Sequence, residues 1–317
     1  MTDTFESTST SGGGEYQVLF DWCRSILGSS MGFVSVSHEH GNAQVFCVTS
    51  ATGMFYLKHH RTLLRWQNEV SAYETFVPAI TDYTPRLVAV RDDLPRAILL
   101  TALAGTAMFQ TELDESHRSA AWLHAGICLA ALHELEGRRF GLCAEKTVDP
   151  DGFQGSNGAA AFHGYASHWI EAGIAAGVLT GPERRLGREA LRHSVLFSGE
   201  APRACHRDFT PRNWIVDKRG RWSGVIDFEL AVWGTRAMDM DRWWDNYFTT
   251  SPECERAFFN GYGRELSDLT RHQIIVARVV NAVHQIVWGS ANNDAGFVQL
   301  GREALVRLGP LIGQVPA

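Results

Sequence analysis

Lysine is nearly missing from this 317-residue chain: only Lys58, Lys146 and Lys218 occur, beside 26 arginines. Any chemistry that needs an ammonium group therefore has three candidates. Basic residues as a whole are outnumbered, 29 against 35 acidic, and the formal net charge of -6 comes without a basic run. That balance excludes nucleic acid as a partner, because a polyphosphate is held by clustered Lys and Arg. The six cysteines, Cys23, Cys47, Cys128, Cys143, Cys205 and Cys254, lie far apart with no CxxC pair. Such spacing argues against a zinc or dithiol site and predicts buried or half-buried free thiols in a reducing compartment, the cytoplasm. No apolar run reaches the ~20 residues of a membrane span. The stretch 120–135 is interrupted by His124 and His133, and 273–288 by Arg278, Asn281 and His284. The opening MTDTFESTSTSGGGEY has neither a basic segment nor an apolar one, so it is not read as a secretory signal. Residues 1–14 are expected to form a disordered tail.

What is present is an ordinary globular composition, 45% hydrophobic, long enough for two domains or one large two-lobed unit without disulfide or metal staples. YQVLFDWCRSIL, 16–27, predicts an amphipathic helix stopped by Gly28. The alternating segment 33–60, with turn signals at Gly41-Asn42 and Ala51-Thr52-Gly53, predicts a three-stranded antiparallel meander. A helix follows over 63–77, then two short strands at RLVAV and AILLTAL joined by Arg91-Asp92-Asp93-Leu94-Pro95. After Ala104-Gly105 the pattern changes to helical segments at 117–135, 162–175, 182–197, 253–264, 270–288 and 296–309, interrupted by one β island at 213–230. The expected class is α+β: a β-rich lobe at 15–103 and a helical lobe at 104–317 containing one isolated hairpin.

The segment 204–230, ACHRDFTPRNWIVDKRGRWSGVIDFEL, concentrates His206, Asp208, Asn213 and Asp227. Trp214 to Asp217 and Trp222 to Ile226 predict paired strands around a turn centred on Gly220. Counting outward from that centre brings Asn213 and Asp227 side by side at the hairpin's open end. An amide oxygen and a carboxylate there suit a hard cation such as Mg²⁺ held against phosphates. Asp208, on the loop entering the hairpin, reaches the same space without being a metal ligand. Taken singly, a core histidine and a helix-capping aspartate explain His206 and Asp208; they do not explain the group.

HRDFTPRN fits the kinase catalytic-loop pattern H-x-D-x-x-x-x-N, and VIDFE fits the metal-binding D-F-x segment that follows it. In detail the stretch resembles the aminoglycoside phosphotransferase and choline kinase-like branch of the protein kinase-like superfamily, which has a short loop, an IDFE or IDWE segment and a downstream aspartate, here Asp239. The likeness is specific over 206–239 and can be followed from about 30 to 250. It implies a two-lobed kinase-like fold, with a small antiparallel N-lobe carrying one main helix and a larger helical C-lobe. It also implies transfer of the γ-phosphate of ATP or GTP to a hydroxyl of a small molecule.

The resemblance assigns roles residue by residue. Asp208 would orient the hydroxyl and accept its proton, and Asn213 and Asp227 would hold Mg²⁺. His206 and Asp239 would brace the loop. Lys58, at the end of the third meander strand, would meet the phosphates, with Glu69 as its partner and Glu74 as the competing one. Main-chain groups of about Thr101 to Leu103 would hold the purine ring. No GxGxxG occurs, a departure this branch tolerates. His38, Glu39 and His40 lack the i, i+4 spacing of a zinc helix and read as an exposed turn. Arg207 and Arg212 would add positive charge beside the site, although exposure is the commoner role for each.

The acceptor is less constrained. Residues 229–317 hold ten acids and eight bases, too mild an excess to demand a polyamine. Trp233, Trp243, Trp244, Tyr247 and Phe248, with Asp241 and Asp245 between them, fit either a ring-stacking pocket or a buried helix face. An antibiotic O-phosphotransferase, of aminoglycoside, nucleoside or peptide type, stands beside a metabolic kinase of choline, homoserine or a sugar alcohol. A non-catalytic nucleotide-binding scaffold would have lost Lys58, Asp208, Asn213 or Asp227, and none is lost.

Overall fold

The structure, a computed structural model, describes residues 15–36, 43–144, 148–243 and 247–316. The His38-Glu39-His40 turn, Lys146, Trp244, Asp245 and the expected tail at 1–14 lie outside them. Two compact units are present, one comprising the chain up to Trp66 together with Arg86–Ala102, the other Gln67–Pro85 together with everything from Leu103 onward.

The first unit contains helix α1 (Glu15–Leu27) and strands β1 (Met31–Ser35), β2 (Ala43–Ser50), β3 (Gly53–His60), β4 (Leu87–Arg91) and β5 (Ala97–Thr101). All pairings in the sheet are antiparallel, in the order β1-β2-β3-β5-β4. Its core places Leu19 and Cys23 of α1 against Phe46, Val48, Leu57 and Leu99 of the sheet. Phe20 extends this contact by stacking on Phe33 with ring centroids 4.2 Å apart. Period-2 alternation in β2 and β3 and the 3.6-residue period of α1 bring these residues together, since each element has one apolar face. Helix α2 (Leu63–Thr75) starts in this unit and continues in the second.

The second unit holds α3 (Glu115–Glu134), α4 (Gly158–Ala175), α5 (Gly181–Arg192), α6 (Pro252–Tyr262), α7 (Asp268–Ala291) and α8 (Ala295–Ile312). Close approach of α3 and α6 depends on glycine: a Cβ on Gly126 would collide with the Phe258 carbonyl, and one on Gly261 with that of Leu123. Trp122 of α3 is 1% exposed and packs edge-on against Trp214 at 4.7 Å. Trp243 and Phe248 join the same buried cluster, so these two aromatics are core. α7 is long and apolar enough to cross a membrane by length and composition, but 72% of its apolar window is buried inside the protein.

Two small sheets lie among the helices, where the sequence predicts one isolated hairpin. β6 (Thr106–Ala107) adds to the hairpin of β9 (Trp214–Val216) and β10 (Trp222–Val225), while β7 (Gly141–Leu142), β11 (Val232–Gly234) and β8 (Arg203–Cys205) form a second antiparallel sheet. Strands of two or three residues are too short to display an alternation.

Candidate active site

The stretch 204–242 is organised around one carboxylate. Asp239, 3% exposed, accepts the His206 N–H through Oδ2 at 2.8 Å and the Arg207 N–H through Oδ1 at 2.5 Å. Oδ2 also accepts a hydrogen bond from His133 Nε2 on α3 at 3.1 Å, and His133 Nδ1 accepts one from the Tyr262 hydroxyl of α6 at 2.8 Å. Burial lowers the His133 pKa, so the ring is neutral and its single proton sits on Nε2, facing the carboxylate. Burial by itself would raise the Asp239 carboxyl, but the His133 hydrogen bond, foremost among its contacts, holds it below the usual carboxylate range. The contact is thus a charge-assisted hydrogen bond from a neutral ring rather than an ion pair.

This clamp supports an unusual turn. Arg207 has φ 70°, in the left-handed region that side chains rarely adopt, and the two bonds to Asp239 fix the main chain leading into it. The Arg207 side chain runs inward, contrary to the surface position expected for it: it is 9% exposed, with its guanidinium 4.4 Å from the Tyr165 ring centroid. Burial opposes its charge, while Tyr165 and the Asp149, Asp151 and Asp241 carboxylates favour it. Arg212 is exposed, over the ring of Phe109. The next residue after the Arg207 turn is Asp208.

Asp208 is held on both oxygens. Asn213 Nδ2 donates to Asp208 Oδ2 and to its carbonyl, each at 2.9 Å, and Arg242 Nη1 donates to Oδ1 at 2.7 Å. The Asp208 N–H donates to His206 Nδ1 at 3.2 Å, and His206 Nε2 donates to the Ile226 carbonyl at 2.9 Å. The fully buried His206 ring, kept neutral chiefly by desolvation, therefore ties the loop to the end of β10. Symmetric counting about Gly220 is off by one here. A register shift between Trp222 and Gly224 pairs the Ile226 N–H with the Asn213 carbonyl at 3.0 Å, and Asp227 follows with φ 73°. Asn213 and Asp227 remain neighbours along the backbone at the hairpin's open end.

These residues fit a hard cation. The Asn213 amide donates twice to Asp208, which directs Nδ2 there and leaves the amide oxygen as the group offered elsewhere. Together with the Asp227 carboxylate it makes an oxygen-only donor pair of the kind Mg²⁺ accepts. A second titratable cluster, His133, Cys205 and Asp239, does not fit a metal. Its atoms already bond one another and Thr235, and burial holds the Cys205 thiol well above its usual pKa, foremost among the effects on it.

The other expected residues divide between the units. Lys58 lies on β3 between Val45 and Ile98 and is 8% exposed, and Thr101 ends β5. Glu69 is fully buried on the second-unit part of α2, and Leu103 begins the next second-unit segment. Sequence reasoning missed three contributors: His133, Arg242 and Asn68 of α2, which donates to the Glu229 and Ala231 carbonyls. Nothing local marks any of them, because each acts on a segment remote in sequence.

Known structures share this architecture. The aminoglycoside phosphotransferase APH(2'')-IIa, in its gentamicin complex, is 16% identical, with 95% of this chain and 97% of its own covered and a TM-score of 0.62. Macrolide 2'-phosphotransferase MphH from Brachybacterium faecium is 17% identical over 92% of this chain and 98% of its own, with a TM-score of 0.61. A thermostable mutant of aminoglycoside phosphotransferase APH(4)-Ia, in a ternary complex with ADP and hygromycin B, gives 12% identity, 91% and 96% coverage and a TM-score of 0.67. At these identities the likeness establishes the fold, which is the protein kinase-like class expected from the sequence. No curated protein matches the chain by sequence. Residues 33–274, running from within β1 through the clamped loop to the first turns of α7, match the phosphotransferase enzyme family, and the chain belongs to that family.

Proposed function

We propose that this phosphotransferase moves the γ-phosphoryl group of ATP or GTP to a hydroxyl of a small molecule, an antibiotic in the first instance. The observation that carries this reading is the fixed placement of Asp208 beside Asn213 on a loop clamped by Asp239. Asp208 orients the acceptor hydroxyl and takes its proton as the phosphoryl group departs. Asn213 and Asp227 hold Mg²⁺, which when bound neutralises charge on the donor's phosphates. Lys58 contributes the ammonium to the same phosphates, with Glu69 as its counter-charge. Backbone groups between Thr101 and Leu103 hold the purine. His206 and Asp239 keep the loop in position, and the reaction belongs in the cytoplasm, where nucleoside triphosphates are supplied.

The similar structures include gentamicin, hygromycin B and macrolide enzymes, which supports an antibiotic acceptor without selecting one. Arg242, its guanidinium 2.7 Å from Asp208, disfavours an amine next to the reacting hydroxyl and favours a less cationic acceptor over a polyamine. A panel of antibiotics and of metabolic alcohols such as choline and homoserine, incubated with ATP or GTP and Mg²⁺ and read by product mass, tests the proposal. A phosphorylated antibiotic is the expected result. Phosphorylation confined to a metabolic alcohol would move the assignment to a metabolic kinase, and nucleotide binding with no transfer to any acceptor would overturn catalysis.

A further inference from the structure

Between the end of β10 at Val225 and the start of β11 at Val232, the chain that carries Asp227 belongs to no strand. Two of its carbonyls are held by a single distant side chain. Asn68, fully buried on α2, donates through Nδ2 to the Glu229 carbonyl at 3.0 Å and to the Ala231 carbonyl at 2.8 Å, across 161 and 163 residues. Its Oδ1 accepts the Ala144 N–H at 3.2 Å, from the segment following β7. Both amide protons and the amide oxygen are thereby used on main-chain groups. A buried amide satisfied in this way fixes its partners firmly, because each bond lost would weaken the pairing of a desolvated backbone group; the Ala231 carbonyl would keep only the longer contact from the Cys143 N–H at 3.4 Å. The same stretch of α2 presents Tyr73 edge-on to Phe228 at 5.8 Å, and Phe228 packs on His206 at 4.6 Å.

We infer that Asn68 is a positioning residue for the metal-binding segment: by holding the Glu229 and Ala231 carbonyls it sets where Asp227 presents its carboxylate, and it locks that segment to the turn of α2 that carries Glu69. This rests on the reading that Asn213 and Asp227 hold the cation. Cation-dependent nucleotide binding then depends on a side chain that touches neither cation nor nucleotide. Helix and metal segment respond to ligand as one body.

The test uses the full chain and ATP binding by calorimetry, with Mg²⁺ and with EDTA. In Asn68→Ala the gain in ATP affinity on adding Mg²⁺ should fall by about tenfold or more, the usual cost of removing support behind a metal ligand, while affinity in EDTA stays close to wild type. Asn68→Asp separates the contacts, since it keeps an acceptor for Ala144 but loses both donations. It should behave like Asn68→Ala, and restoration of the wild-type Mg²⁺ response by Asp would overturn the inference. Hydrogen exchange on the wild-type protein needs no variant: ATP with Mg²⁺ should slow exchange over 67–73 and 227–231 together. Protection of 227–231 alone would also overturn it. Absence of Mg²⁺-dependent ATP binding by the wild type would instead defeat the underlying assignment of Asn213 and Asp227.

Discussion

In the five-stranded sheet, side chains are placed by ladder register; in the stretch 204–242 they are placed by hydrogen bonds arriving from residues up to 163 positions away. The sheet spends its main-chain groups on neighbouring strands and its side chains on packing. In the clamped loop this is reversed, because Asp239, His206 and Asn68 satisfy main-chain N–H and C=O groups that no strand reaches. Register tolerates many sequences, as any apolar residue of suitable volume fills a core position. A loop held by side chains requires particular atoms at particular places, so damage to the two regions should show in different measurements.

The largest effect should come from Asp208→Asn. The amide keeps the volume but cannot accept the hydroxyl proton, and turnover should fall by about a thousandfold, near 4 kcal/mol in barrier. Nucleotide affinity should stay within a few-fold of wild type. Wild-type turnover in this variant would remove Asp208 from the proton-accepting role.

Leu19→Ala makes the opposite cut. Leu19 is fully buried between α1 and the sheet, and its truncation should lower unfolding free energy by about 3 kcal/mol through lost burial and the cavity left behind. Denaturant melts would show this, whereas turnover per folded molecule should match wild type. If turnover of the folded fraction fell with stability, placement by register and placement by side-chain clamps would not be separable.

The same contrast explains what was legible in the sequence. α1, the meander and the long helices announce themselves through periods of 2 and 3.6 residues, and HRDFTPRN is a contiguous signature. The Asn213 and Asp227 pairing was legible only to within one residue, because the register shift beside Gly224, where φ is 143°, leaves no mark that counting can detect. Arg207 reads as a surface arginine until Tyr165 of α4 is found against it. His133, Asn68 and Arg242 are invisible for one shared reason. Each pairs with a group chosen by tertiary structure, and neither local propensity nor spacing encodes such a partner.

The smallest effect probes the rim of the clamped loop through pH. Asp241, 8% exposed, has its carboxyl pushed up to about 7, chiefly by burial and against the pull of Arg242 and Arg207. A folded pKa above the ordinary carboxylate value near 4 means that the folded chain holds a proton that the unfolded chain has released. Stability should therefore decline as pH rises from about 4 to 7 and level off above. Asp241→Asn, neutral throughout, should flatten that decline. The gain at pH 8 should be at least on the order of 1 kcal/mol, because the amide removes the cost of ionising a buried carboxyl. Turnover should follow the same group, since an ionised Asp241 stands 3.9 Å from the Arg242 Nε and competes with Asp208 for that guanidinium. Asp241→Asn should erase a turnover inflection near pH 7, and an inflection unchanged in the variant would show that the Arg242 contact with Asp208 is set without Asp241.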